Sequence, residues 1–426
     1  MNIKRSKRDI LVGNLLVISV LASLISEISG FTTFPPGLLQ LSAGLILWPA
    51  LPASVQRQSI VLVFVGLLCL YFSPHPVSLL LAISKNGKLI SLLAAIGLLR
   101  RVPLPENIQV PLRGYKALWQ TLFGLHWFGS VLNISALAIF SDSVTRQTGR
   151  LKPFQGVMLT RSSSLAALWS PFFIAMGVVL TYATNANYWT LIAWNLPLTH
   201  LLLSIIILYS IKSKPIEIEN FIGYPFQASS LAGPLILAAV ALLGHQIAPN
   251  FSIISIITLA APCYSILSNL RRKPITIFFD YISNDLPRMG SEIILFVSAG
   301  ILGAGLSSVT LGHTMNFIWD QNPLILVWLG LAIILLMSSF GVHPIIGITL
   351  VGGILATKVE HNLLAMSFLM SWGFGVLINP ISGIHLFLSS QYAFEAHNVW
   401  RWNYKFIAGA YLFGCTWLYL FSRVNH

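Results

Sequence analysis

A helix crosses the hydrocarbon core of a bilayer with about 20 apolar residues, and this chain of 426 residues contains eleven such runs. They lie at 10–29, 36–55, 58–75, 86–100, 157–183, 190–211, 228–247, 251–270, 290–311, 363–392 and 403–421. Only 9% of the residues are charged and 56% are hydrophobic, so a soluble fold of this size would lack the polar surface to cover its core. The expected class is an all-α polytopic membrane protein with the lipid bilayer as its main partner.

The formal net charge of +13 would suggest nucleic acid in a soluble protein. Here the basic residues form short clusters between apolar runs, the pattern of cytoplasmic loops under the positive-inside rule, and no nucleic acid is expected. Cys69, Cys263 and Cys415 lie far apart inside apolar segments without C-x-x-C spacing, which gives neither a disulfide framework nor a metal site. The cluster Lys4-Arg5-Ser6-Lys7-Arg8 precedes an apolar run, Asp9 to Ser29, that is too long for a signal peptide and has no small-residue cleavage site. It reads as a retained first helix with a cytoplasmic N-terminus.

Two further apolar regions, 114–148 and 323–357, are interrupted near the middle. The interruptions read Gly129-Ser130-Val131-Leu132-Asn133-Ile134-Ser135 and Ser338-Ser339-Phe340-Gly341-Val342-His343-Pro344. Both are expected to be re-entrant hairpins with tips at mid-membrane. If each returns to its side of entry, 20 of the 25 Lys and Arg residues collect on the cytoplasmic side. Making either hairpin a single crossing flips everything downstream and spoils that asymmetry. Lys85, Lys88, Lys358 and Arg423 fall outside, and Arg161 sits inside a helix near its cytoplasmic end.

Each hairpin is followed by a helix broken at a proline, Ser170-Pro171 in one case and Asn379-Pro380 in the other. Pro171 and Pro380 are 209 residues apart, and the interruptions at Asn133 and His343 are 210 apart. Two landmarks with one period predict eleven transmembrane helices plus two re-entrant hairpins in an inverted-topology repeat, a signature of alternating-access transporters. The divisions are 1–57, N-terminal scaffold helices; 58–183, the first repeat, with hairpin 114–148 and broken helix 157–183; and 184–250, connecting helices and linker. There follow 251–392, the second repeat, with hairpin 323–357 and broken helix 363–392, and 393–426, the C-terminal helix. Residues 272–288 alternate apolar and polar groups as a helix in the cytoplasmic interface would.

Backbone broken at mid-membrane persists only where it lines a cavity or binds something. The expected substrate or ion site is therefore lined by Asn133, Ser135, Ser170, Gly341, His343, Asn379 and Ser382, with Pro171, Pro344 and Pro380 opening the backbone. No Asp or Glu lies at the breaks, so a cation there would use carbonyls and neutral side chains. His343 is either the titratable group of a proton-coupled cycle or a structural histidine bonded to a neighbouring carbonyl, and His385 stands open to the same two readings. Arg161 either pairs with Asp142 or reaches the cytoplasmic interface. His126, His200, His245 and His313 are scattered singly, and no metal site or cofactor is expected beyond Na+ as a candidate coupling ion. P-loop and G-x-S-x-G sequences are absent, which removes ATP-driven transport and an α/β-hydrolase elbow.

This arrangement of hairpins and broken helices resembles the ion transporter superfamily over roughly 58–421. Its members include divalent anion/sodium symporters, citrate transporters, arsenite and sodium/proton antiporters and the large subunits of TRAP transporters. The first tip, Leu132-Asn133-Ile134-Ser135, keeps the Asn and a hydroxyl residue of the symporters' Ser-Asn-Thr motif, whereas the second, Gly341-Val342-His343-Pro344, departs from it. The resemblance implies a homodimeric secondary transporter of the cytoplasmic membrane. It would move a small anionic solute, an organic acid or oxyanion, by an elevator-like displacement coupled to Na+ or H+. The competing expectation is a membrane-embedded enzyme acting on lipid-linked or glycan substrates with His343 or His385 as base; the loops are short for such a role, and 312–322 holds Asp320 as its one acid.

Overall fold

Backbone that lies in lipid must satisfy its hydrogen bonds within its own segment, and the computed structural model describes a chain built almost wholly of helices. It covers residues 6–30, 35–102, 112–145, 150–224, 232–312 and 322–424; Lys4, Arg5, Arg146, His313 and Asp320 lie outside the described residues. In chain order the helices are α1 (Lys7–Ser29), α2 (Pro36–Leu47), α3 (Ala53–Phe72), α4 (Leu79–Ser84), α5 (Gly87–Gly97), α6 (Gly114–Leu132) and α7 (Ile134–Thr145). They continue as α8 (Pro153–Leu165), α9 (Ile174–Tyr182), α10 (Tyr188–Ser213), α11 (Pro215–Glu219), α12 (Ala232–Ile247), α13 (Ile253–Ser268) and α14 (Pro274–Asn284). The last are α15 (Gly290–Gly312), α16 (Pro323–Ser339), α17 (Pro344–Leu355), α18 (His361–Ile378), α19 (Gly383–Tyr392) and α20 (Val399–Val424). One antiparallel strand pair, β1 (Leu112–Arg113) with β2 (Ile222–Gly223), precedes α6 and follows α11.

Among the described residues, six stretches are long and apolar enough to cross a membrane: Lys7–Ser29, Ala53–Phe72, Leu79–Arg101, Tyr188–Ser213, Pro274–Val309 and His361–Tyr392. Two of the expected boundaries are corrected. The run 36–55 is not one spanning helix, because α2 ends at Leu47, the chain tightens into a 3₁₀ turn at Trp48–Ala50, and α3 starts at Ala53. Pro49 and Pro52 lack the N–H groups that a continuous helix needs there, and twelve residues extend only about 18 Å. The stretch expected to begin at 86 begins at Leu79 instead, so Lys85 lies inside an apolar helical segment, where its Nζ donates to Ser307 Oγ at 3.1 Å.

The helices sort into two compact units. One comprises Met1–Pro103, Ile236–Asn316 and Thr349–Ile354; the other comprises Leu104–Leu235, Phe317–Ile348 and Leu355–His426. This division cuts across the two sequence repeats, giving the leading helices of both to the first unit and their hairpin tips and broken helices to the second.

In the first unit α3 packs along α15 and α13 along α5. Asn86, fully buried between α4 and α5, donates from Nδ2 to the Phe296 carbonyl at 2.9 Å, a pair separated by 210 residues. Lys88 joins Glu27, whose Oε1 also accepts the Ser252 N–H at 2.9 Å. The helix expected within 272–288 is α14, and Arg101 holds it through Asp280 at 3.0 Å and Asp285 at 2.7 Å. Small residues let α3 and α15 approach closely: a Cβ on Gly305 would stand 2.4 Å from the Gly66 carbonyl oxygen. Gly305→Val is therefore expected to cost about 1–3 kcal/mol by overpacking. Thermal unfolding of the purified protein checks this, with Gly409→Ala, where a Cβ meets no atom within 4 Å, as the unaffected control.

Candidate functional site

Proline decides where the second unit breaks. With no N–H and a ring that crowds the preceding turn, Pro171 disfavours the continuation of α8. The helix tightens to a 3₁₀ turn at Ala166–Leu168 and restarts as α9. Beyond the proline, the Phe172 N–H turns back to Ser170 Oγ at 3.1 Å, which deprives the Leu168 carbonyl of its helical donor. Asn195, fully buried on α10, supplies the replacement from Nδ2 at 2.9 Å. The same Ser170 hydroxyl donates to the Ser130 carbonyl near the end of α6. At the turn between α6 and α7, Asn133 has φ 51° and ψ −126°, and its Nδ2 donates to the Phe172 carbonyl at 2.9 Å. Phe128 and Phe140, on either side of that turn, have ring centroids 6.0 Å apart, so α6 and α7 fold back on each other.

The second half repeats this joint with other side chains. The Ile381 N–H turns back across Pro380 to Asn379 Oδ1 at 2.9 Å, and the freed Leu377 carbonyl accepts from Asn403 Nδ2 on α20 at 3.0 Å. Asn379 Nδ2 donates to the Val342 carbonyl at the other hairpin's turn, at 3.1 Å. Gly341, with φ 83°, lets that turn lie against Ile381, whose Cδ1 is 3.4 Å from where a Cβ would be. Leu168 and Leu377, like Ser170 and Asn379, are 209 residues apart, and Asn195 and Asn403 are 208 apart. The halves meet where Ser164 Oγ donates to the Gly373 carbonyl at 2.7 Å, again 209 residues on.

Ser382 and His385 join the second joint. His385 Nδ1 lies 2.8 Å from the Asn379 carbonyl and 2.8 Å from Ser382 Oγ. A carbonyl only accepts, so this nitrogen carries the proton. His385 Nε2 is then a bare acceptor, buried and without a partner among the described residues. Asn195 Oδ1 at the first break and Ser338 Oγ beside Gly375 are buried and unpartnered in the same sense. Buried polar atoms without partners are costly, and three of them lie around the two joints.

The other expected residues are placed differently. His343 lies at the hairpin turn, but its Nδ1 accepts the Ile345 N–H at 3.2 Å, capping α17, and its ring packs edge-on against Trp372. Ser135 is half-buried in the first turn of α7. Asp142 and Arg161 do not pair: Asp142 accepts from the Tyr392 hydroxyl at 2.7 Å. Arg161 instead donates from Nε to Asn403 Oδ1 and from Nη2 to the Trp402 carbonyl, both at 2.9 Å, and stacks over Phe406. Nor do His126 and His200 stand singly, since their ring centroids are 5.3 Å apart beside the first break. Trp169 Nε1 donates to His126 Nε2 at 3.0 Å, and Nδ1 of the same ring lies 3.2 Å from the Ser162 carbonyl, so this buried histidine is satisfied as a neutral tautomer. Among the described residues no three His, Cys, Asp or Glu side chains gather as metal ligands would.

Fold and site together define the class: an all-α protein with membrane-length apolar helices, carrying two discontinuous helices that are each tied to a hairpin turn. Comparison with protein-family models and with curated proteins gives no match. What the chain does must therefore be argued from these joints.

Proposed function

We propose that the chain is a secondary active transporter of a small anionic solute, an organic acid or oxyanion, related in architecture to the ion transporter superfamily. The observation that carries this reading is the duplicated joint: the same hydrogen-bond scheme, built from different side chains, recurs about 209 residues apart. On this reading the chain crosses the cytoplasmic membrane several times from a cytoplasmic N-terminus. Its re-entrant hairpins and broken helices belong to an inverted-topology repeat, with the first unit as scaffold and the second as the moving element of an elevator. Asn133, Ser170, Gly341, Asn379 and Ser382 line the solute site, with Ser135 and His343 at its edge.

Half-helix N-termini, those of α9 and α19, favour an anion, while the carbonyl ends of α8 and α18 favour a cation such as Na+. His385, with Nε2 free to take a proton or a donor, is the group for H+ coupling. Homodimerisation belongs to the same proposal.

Liposomes containing the purified protein test it, with labelled succinate, citrate, sulfate and phosphate offered under a Na+ or an H+ gradient. Accumulation of one of them above protein-free liposomes is expected. Asn133→Gly keeps a residue that tolerates positive φ but removes the tie to Phe172, and should lower uptake at least about tenfold, the equivalent of one lost hydrogen bond of ~1.4 kcal/mol. No accumulation of any of the four under either gradient, or unchanged uptake in Asn133→Gly, would overturn the reading.

A further inference from the structure

A cavity of about 700 Å³ lies in the second unit between α8, α10 and α20. On α10 its wall is Leu202, Ile205, Ile206, Tyr209, Ser210 and Ser213. On α20 the wall repeats the same i, i+3, i+4, i+7, i+8, i+11 spacing from Trp402 to Phe413. The two helices run antiparallel: Trp417 Nε1 donates to the Trp194 carbonyl at one end, while at the other α8 meets both, Met158 with Ser210 and, a turn on, Arg161 with the Trp402 carbonyl.

That geometry polarises the groove. Arg161, Lys214 and Lys405 all stand toward the Ser213 and Trp402 end, and Leu202 and Phe413 close the opposite end. Lys214 is exposed and shares its charge with Glu217 at 3.5 Å. Arg161 is half-buried; its two polar partners are a neutral amide and a carbonyl, and among the described residues no carboxylate pairs with it. A cation held in an apolar wall without a counter-ion calls for an anion from outside. The apolar length from Leu202 to Ser213 is about 16 Å along the helix, far more than an inorganic anion fills. The lip is apolar too: Ile205 and Tyr209 are 49% and 69% exposed, on one of the membrane-length helices.

We infer that this groove binds an anionic phospholipid, with its phosphate on Arg161 and Lys405 and one acyl chain laid between α10 and α20 toward Phe413. The site is independent of the transport reading and would hold whatever the joints carry. Arg161, which would hold the phosphate, stands two hydrogen bonds from the second break, since its Nε donates to Asn403, which in turn caps the Leu377 carbonyl.

The test is native mass spectrometry of the detergent-purified full chain with phosphatidylglycerol, with phosphatidylcholine of the same acyl chains, and with inorganic phosphate. Retention of one phosphatidylglycerol per chain is expected, with little phosphatidylcholine. Arg161→Gln should weaken retention by about tenfold or more, the scale of a charge-assisted hydrogen bond. Because Arg161 also ties α8 to α20, Gly409→Leu is the second variant: position 409 lines the groove and a Cβ there meets no atom within 4 Å, so a leucine is rooted without a clash and its branch occupies groove space. It should abolish retention while the unfolding temperature in detergent stays at or above the parent's. Equal retention of phosphatidylcholine would overturn the proposal, as would inorganic phosphate binding as tightly as the lipid, or retention unchanged in Gly409→Leu. If Gly409→Leu instead converts a dimer to a monomer and leaves lipid retention intact, a second copy of the chain occupies the groove and the lipid assignment fails.

Discussion

Asn379→Ala is expected to destabilise the protein by up to about 2–6 kcal/mol, because it leaves two part-buried backbone groups unpaired, at no more than about 1–3 kcal/mol each. The groups are the Ile381 N–H, which loses Oδ1, and the Val342 carbonyl, which loses Nδ2. On the transporter proposal uptake should vanish with them, since the hairpin turn is no longer held to the break. Asn379→Ser is the informative companion. In the first half a serine, Ser170, does both jobs, accepting the Phe172 N–H and donating to Ser130. Serine at 379 should therefore keep the acceptor across Pro380 and recover about half of the lost stability, while its shorter reach gives up the Val342 tie. Chemical unfolding in detergent reads both; an alanine variant as stable as the parent would mean that the joint holds nothing together.

The second large effect concerns the two asparagines that cap the interrupted helices from outside. Asn195→Leu leaves one carbonyl, that of Leu168, without a donor, at about 1–3 kcal/mol. Asn403→Leu leaves the Leu377 carbonyl and also removes the acceptor of Arg161 Nε. A hydrogen bond to a charged group contributes about 1.5–3 kcal/mol, so the total should reach ~3–6 kcal/mol. The prediction is the order: Asn403→Leu unfolds at lower denaturant than Asn195→Leu. Equal midpoints, or the reverse, would show that Arg161 gains nothing from its amide partner.

Much of this was legible in the sequence because the strongest signals are local. Pro171 and Pro380, each set beside a polar residue, favour a break, and the helix breaks do lie there, whereas Pro197 and Pro262 are carried inside the continuous helices α10 and α13. Asn133 and Gly341, among the residues that tolerate positive φ, mark the two hairpin turns where the polar interruptions had been noticed. What stayed hidden depends on contacts between distant segments. Asn195 and Asn403 sit in unbroken helices, 27 and 26 residues beyond the carbonyls they cap, and nothing near them in sequence announces a freed acceptor. One signal was available: a lone Asn in an apolar helix that follows a broken one needs a partner, and a break supplies carbonyls without helical donors. Charge alone allows Arg161 either to pair with Asp142 or to reach the interface, whereas the fold gives each a neutral partner, Tyr392 at the end of α19 for Asp142 and Asn403 on α20 for Arg161. His126 and His200 are 74 residues apart, too far for spacing to reveal them as neighbours.

The contacts of Asn86 with Phe296 and of Ser164 with Gly373 join positions that are one period apart. If the chain arose by doubling of a half-length ancestor, each such pair descends from a single position that once faced its own copy across a two-fold axis in an antiparallel dimer. Fusion then released those positions from having to fit themselves. A serine can now oppose a glycine and an asparagine a phenylalanine, and asymmetry of that kind is open to a pseudo-dimer and closed to a true one. The divergence of Ser170 from Asn379, one role filled by two chemistries, would belong to the same history: with the halves covalently joined, their two joints could be tuned separately.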